Sequence, residues 1–184
     1  MKAYLVVAAA AAATAIGCSD PEQARIKDTT RPTYDKTTGK LTQLTYDANK
    51  NGRIDTWTDM DGSRPVRSRI DSDEDGTIDR WEYYDEKGML MKVGFSSRRD
   101  GHVDSWAFSG ADGKISRMEI SSTSNEQKID RWEFYRDGVL ASVAMDENGD
   151  GKPDRKLTYA NGTLAIIESD PDAAGAFRKR VTVK

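Results

Sequence analysis

An acidic segment recurs along the chain at a nearly constant spacing, and this repeat constrains the fold more than any other feature. The five clear copies start 24, 25, 26 and 24 residues apart, at Asp47, Asp71, Ser96, Ser122 and Asp146. Self-similarity of this period is the signature of a repeat architecture, in which neighbouring units stabilise one another without a large central core. With a fainter copy at Asp170 and a half-unit at residues 33–41, the array is predicted to span residues 33–184.

Between the acidic segments, apolar and polar residues alternate with a period of two. In residues 80–95, RWEYYDEKGMLMKVGF, two alternating runs flank a short turn that ends at Gly88. Alternation on both sides of a glycine-containing turn is typical of a β-hairpin. A three-residue turn at this point predicts that Trp81 lies opposite Val93.

One hairpin per repeat predicts an all-β fold, an antiparallel meander of eleven or twelve strands with tight turns at one edge and acidic loops at the other. The face that carries the four tryptophans is predicted to be apolar and the opposite face polar; these residues are Trp57, Trp81, Trp106 and Trp132. We expect an elongated, twisted or coiled sheet, and a closed barrel or a sandwich fits the same pattern.

The second acidic segment, DSDEDGTIDRWE, carries oxygen ligands at the spacing that calcium requires. In an EF-hand loop, calcium is bound by positions 1, 3 and 5, the backbone carbonyl of position 7, position 9 and a bidentate acid at position 12, with Gly at position 6. The corresponding ligands here are Asp71, Asp73, Asp75, Thr77, Asp79 and Glu82. The segment resembles the EF-hand loop and the calcium repeats of thrombospondin type 3. The resemblance is confined to the loop, because the flanking residues are predicted to be strands and not helices.

The fifth and first acidic segments keep part of this pattern. The candidate ligands of the fifth are Asp146, Asn148, Asp150, the carbonyl of Lys152, and Asp154; those of the first are Asp47, Asn49, Asn51, the carbonyl of Arg53, and Asp55. Both lack an acid at position 12. Since the charge of the ligands tunes calcium affinity, the predicted order of affinity is second, fifth, first, in the weak range of about 10⁻⁴ to 10⁻³ M.

A loop without metal is the alternative explanation of these segments. Asp, Asn and Gly are common turn formers, and their side chains cap their own backbone without a cation. The third and fourth segments support this alternative, because Ser96, Arg98 and Ser122 replace ligands while Asp104 and Asp130 remain at position 9. In the second segment, however, six carboxylates within twelve residues repel one another unless a cation neutralises them.

The N-terminal residues MKAYLVVAAAAAATAIGC are typical of a secretory signal that is too short to span a membrane. Residues 15–18, AIGC, resemble the lipobox of bacterial lipoproteins, and Cys18 is the single cysteine. The resemblance implies a signal peptide at 1–17, cleavage and lipidation at Cys18, and a flexible tether over 18–32. Ser19 directly after the cysteine indicates, within that family, the outer membrane of the cell envelope.

Composition and motifs restrict the classes of function. The net charge of −3 argues against a nucleic-acid partner. The single histidine, His102, lies in the third segment without a catalytic constellation, so we expect no enzyme. The sequence predicts a calcium-binding, lipid-anchored envelope protein with a structural or interaction role and an envelope protein or glycan as partner. A glycan-binding module that uses the tryptophan face is the alternative.

Overall fold

The computed structural model describes residues 29–122 and 128–183, which form one antiparallel sheet. Its 13 strands follow one another in sequence order, and each pairs with the next. They are β1 (Thr30–Tyr34), β2 (Leu41–Tyr46), β3 (Thr56–Asp61), β4 (Arg64–Ile70), β5 (Arg80–Tyr84), β6 (Leu90–Phe95), β7 (Ser105–Ser109), β8 (Ile115–Ile120), β9 (Arg131–Arg136), β10 (Val139–Met145), β11 (Arg155–Ala160), β12 (Thr163–Pro171) and β13 (Phe177–Thr182).

The prediction of an all-β antiparallel meander is confirmed. The described strands form a single open sheet with β1 and β13 at its edges, and not a closed barrel or a two-sheet sandwich. The signal peptide and Cys18 lie outside the described residues, and β1 begins at Thr30, inside the stretch assigned to the tether. Within the described residues, no helix has the length and hydrophobicity needed to cross a membrane.

The hairpin turns lie where the sequence places them, but the predicted register is wrong by one residue. Trp81 pairs with Gly94 instead of Val93, which pairs with Glu82. A register shift between Tyr83 and Tyr84 accounts for the difference. Because a β-bulge adds an unpaired residue to one strand, every pair beyond it moves by one position.

The two faces of the sheet also differ from the prediction. All four tryptophans share a face, yet each is only half-buried and the same face carries Arg69, Lys92 and Glu119. The most deeply buried apolar side chains lie on the opposite face, in one row across the strands: Val93, Ala107 and Val143. A single-layer sheet has no second sheet to cover large rings, whereas small side chains are covered by their longer neighbours.

A buried carboxylate interrupts the row of small apolar residues. Glu133 pairs with Val143 across β9 and β10 and is 9% exposed. It accepts hydrogen bonds from the Tyr135 hydroxyl at 2.5 Å and from the Arg131 guanidinium at 2.5 and 2.8 Å. The charged group is therefore satisfied on both oxygens, which is the condition under which a buried charge is tolerated.

Tyr135 is expected to titrate above the ordinary tyrosine range. Burial, followed by the hydrogen bond to Glu133, raises the pKa of Tyr135 from 10.0 to about 12. Because the folded-state pKa is raised, folding favours the protonated phenol. The contribution of Tyr135 to the free energy of unfolding is complete below pH 10 and is lost as the pH rises through about 12. Titration of tyrosinate absorbance should show a late step that is missing in Tyr135→Phe, and loss of absorbance from the ordinary tyrosine range instead would contradict the assignment.

Candidate metal centre

The acidic loops continue the hydrogen-bond ladder of the sheet beyond the strand ends. Asp71 donates its backbone N–H to the carbonyl of Asp55, and Asp146 donates likewise to Asp130, both at 2.8 Å. The row of first- and ninth-position residues is largely buried, including Asp55, Asp71, Ser96, Asp104, Ser121 and Asp146. The sheet thus fixes the backbone at the entry and exit of each loop.

This ladder also corrects the alignment of the fourth loop. Ser121, and not Ser122, donates to the carbonyl of Asp104 as Asp71 donates to that of Asp55. Ser122 takes the role of the second loop residue, because its backbone N–H bonds the carboxylate of Asp130. With Ser121 as the first residue, successive loops start 24, 25, 25 and 25 residues apart.

Two side-chain caps recur in the acidic loops and need no metal. The first-position carboxylate accepts the N–H of the sixth-position glycine in the first, second and fifth loops: Gly52 to Asp47, Gly76 to Asp71 and Gly151 to Asp146. The ninth-position carboxylate accepts the N–H of the second residue: Ala48 to Asp55, Ser72 to Asp79 and Glu147 to Asp154. Turn formation therefore explains part of the acidic pattern.

The second loop contains a group of carboxylates that could hold a metal ion. Asp71, Asp73 and Asp79 each offer an oxygen, and these atoms lie within 4.8 Å of one another. Asp71 is only 5% exposed, and its Oδ1 is buried without a hydrogen-bond partner. A buried, unsatisfied carboxylate oxygen is costly, and a bound cation is one way to satisfy it.

The three carboxylate oxygens and the distances between them are suitable for a hard metal cation. Calcium lies about 2.3 to 2.6 Å from each of its oxygen ligands, so two ligands on opposite sides of one ion are about 5 Å apart. The three oxygens of the second loop are close enough for one metal ion to contact all of them. The three ligands are all carboxylates, with no nitrogen or sulfur atom among them.

Two other predicted carboxylate ligands of the second loop, Asp75 and Glu82, lie outside this group. The Asp75 carboxylate accepts the backbone N–H of Thr77 at 2.7 Å, which is a turn contact. Glu82 lies on β5, where it accepts the hydroxyl of Tyr84 and pairs with Arg80, both at 2.5 Å. Glu82 is directed away because position 12 follows position 9 along a strand, about 10 Å further on, and not along a helix.

In the fifth loop, backbone groups already occupy the predicted ligands. Asp146 accepts the N–H groups of Gly149 and Gly151 on its two oxygens. Asn148 donates its amide to Asp154 and accepts the N–H of Asp150, and Asp150 in turn accepts that of Lys152. Among the described residues the second loop alone provides a three-carboxylate group.

The first loop is likewise closed by its own contacts and by a neighbour. Asn49 and Asn51 accept the N–H groups of Asn51 and Arg53, respectively. The amide of Asn49 donates to Glu74 Oε1 at 2.5 Å, and the amide of Asn51 donates to the other oxygen of the same carboxylate. Glu74 belongs to the second loop, so the two loops are bonded directly to each other.

The structure adds two residues that the sequence reasoning missed, Glu74 and Arg99. Both are the fourth residue of their loop and have left-handed backbone, with φ of 59° and 58°. Arg99 of the third loop reaches the second loop, where its Nη1 lies 2.6 Å from Asp73 Oδ2. The signal in the sequence was the recurrence of a long charged side chain at position 4, where Lys50 also stands.

Comparison with known proteins assigns neither a family nor a function to this chain. No family model matches the chain, and no curated protein matches it either. A solved structure described as the crystal structure of accessory secretory protein 1, 2 and 3 in Streptococcus pneumoniae is similar at 17% identity, with a TM-score of 0.32. The match covers 65% of this chain and 19% of that one. A likeness of this extent assigns no function.

Proposed function

We propose that the second loop binds calcium, and that the chain is a calcium-binding, lipid-anchored protein of the bacterial cell envelope with a structural or interaction role. The observation that carries the proposal is the unsatisfied, buried Oδ1 of Asp71 within the group that includes Asp73 and Asp79. The anchor rests on the resemblance of residues 15–18 to a lipobox, which implies lipidation at Cys18. Ser19 directly after the cysteine favours the outer membrane.

Calcium is preferred over the other common metals on the chemistry of the ligands. Magnesium takes few carboxylates and keeps several waters, whereas calcium accepts several carboxylates in flexible geometry. Zinc favours Cys and His, and the group contains only Asp71, Asp73 and Asp79. Backbone carbonyls and water would complete the six to eight oxygens that calcium takes.

The position of the loop explains what the ion would do. The second loop joins β4 to β5, and its first residue bonds the backbone of the preceding loop through Asp55. An ion held by Asp71 and Asp79 would tie the end of β4 to the start of β5. Because the ion binds the folded array and not the unfolded chain, the stability and stiffness of the array should rise with the external calcium concentration by mass action.

Replacing Asp71 with Asn is expected to abolish calcium-dependent stabilisation. For the full-length protein, calcium at about one hundred times Kd should add about 2.7 kcal/mol to the free energy of unfolding. This corresponds to an increase in Tm of about 5 to 10 °C. Calorimetric titration with calcium chloride, with thermal unfolding in parallel, should show both effects in the wild type and neither in Asp71→Asn.

The matched control is Asp146→Asn, at the same position of the fifth loop, where both carboxylate oxygens already accept backbone N–H groups. This variant should keep the calcium response of the wild type. Absence of binding heat and of a Tm shift in the wild type would identify the second loop as an acidic turn. An equal loss of response in both variants would place the ion elsewhere.

The exposure of the tryptophans supports a second candidate function, a glycan-binding face. Trp57, Trp81 and Trp132 are half-buried, and the described residues provide no second layer over this face. Aromatic rings on a polar surface can stack on sugars, but Lys92 lies 3.9 Å from the centroid of Trp106 and covers part of this face. Strong fluorescence quenching by a soluble agent, reduced by an added envelope glycan, would support this function. Quenching that the glycan leaves unchanged would oppose it.

A further inference from the structure

In the second and third acidic loops, the fourth residue forms a contact with the loop before it. Glu74 of the second loop accepts hydrogen bonds from Asn49 and Asn51 of the first, and Arg99 of the third loop bonds Asp73 of the second. Both residues have left-handed backbone, which non-glycine residues seldom adopt. The two residues share this backbone conformation and the direction of their contact, so this position joins the first loop to the second and the second loop to the third.

Arg99 brings a positive charge into the group of carboxylates that could hold a metal ion. Its guanidinium pairs with Asp73 Oδ2 at 2.6 Å, and Asp73 is one of the three members of that group. The Arg99 side chain is 69% exposed, so it can leave the contact for solvent without breaking a packed core. By contrast, Asp71 keeps a buried oxygen without a partner, so the guanidinium satisfies only part of the group.

We propose that Arg99 is an internal counter-ion that competes with calcium for the second loop and thereby sets the calcium concentration at which the loop fills. The proposal rests on the proposed function, that the second loop takes calcium. An ion bound at Asp73 would lie within about 5 Å of the guanidinium, where two positive charges repel each other. Calcium binding therefore displaces Arg99 and releases the contact between the second and third loops, so the ion both closes one loop and uncouples its neighbour.

The test is the calcium affinity of the full-length protein with Arg99→Gln, measured by calorimetric titration with calcium chloride. Removing the competing charge should tighten binding about fivefold to tenfold. Arg99→Lys keeps the charge and should restore an affinity close to that of the wild type. Without calcium, Tm of Arg99→Gln should fall by no more than about 3 °C, because an exposed ion pair contributes little to stability.

Arg98→Gln is the matched control, since it removes the same charge from the neighbouring residue. Arg98 donates to the carbonyl of Ser122 in the fourth loop, so its loss should change the calcium affinity by less than about twofold. If Arg99→Gln binds no more tightly than Arg98→Gln while the wild type binds calcium, the competition is overturned and the proposed function stands. If neither the wild type nor Arg99→Gln binds calcium, both proposals fail together. Weaker binding by Arg99→Gln would overturn the competition, because it would make Arg99 a structural support of the site.

Discussion

Replacing Val143 with Asp should lower the free energy of unfolding by about 4 kcal/mol or more, which is the largest effect expected in this chain. Val143 is 1% exposed and pairs with Glu133 on β9 and with Leu157 on β11. A carboxylate at this position loses its hydration and faces the existing charge of Glu133 directly across the strands. Like charges in that arrangement repel, and no basic side chain pairs with Val143 in the ladder.

Val181 provides the matched control for this prediction. It belongs to the same row of the same face, at the far edge in β13, but it is 59% exposed. Val181→Asp should therefore change the free energy of unfolding by less than about 0.5 kcal/mol. Val143→Ala should cost about 2 kcal/mol, as the loss of two buried methyl groups. Chemical denaturation measures all three, and an equal cost at positions 143 and 181 would contradict the location of the buried row.

The alternation of residues was sufficient to predict the meander, because period two and glycine turns are local features of the chain. It did not predict register, since a bulge adds one residue to a strand without a distinctive residue type. In β6 the extra residue is Met91, which carries no Gly or Pro signal. It also did not predict which face is buried. That depends on what covers each face, and here the small side chains are better covered than the tryptophans.

The candidate site was predictable in part, because some of its ligands are also close together along the chain. The spacing brought Asp71, Asp73 and Asp79 together, because these three lie within one short loop whose ends are fixed by the sheet. Glu82 is not part of this group, because the EF-hand spacing presumes a helix after the loop and a strand follows it here. The contact from Arg99 comes from the next repeat, and its direction depends on a left-handed residue, which a linear ligand pattern does not describe.

Replacing Gly94 with Val should destabilise the sheet by about 3 kcal/mol, although Val has the higher β-propensity. Gly94 pairs with Trp81 and Trp106, and a Cβ at this position would lie 2.9 Å from the Trp106 ring. The ring cannot move aside easily, because it is held by Tyr83, with centroids 5.7 Å apart, and by Lys92. Replacing a glycine within a strand would otherwise add about 1 kcal/mol to the free energy of unfolding, and the steric overlap outweighs this gain.

In a Trp106→Ala background, Gly94→Val should stabilise the sheet instead of destabilising it. Without the Trp106 ring, the three atoms nearest to a Cβ at position 94 are removed, and the β-propensity of Val should stabilise the sheet by up to about 1 kcal/mol. The coupling between the two positions, measured by denaturation of the four proteins in a double-mutant cycle, should then be about 3 to 4 kcal/mol. A coupling near zero would mean that the ring does not rest on Gly94. Trp106 would then be free to stack on a ligand, and the glycan-binding candidate would gain over a purely structural role for this face.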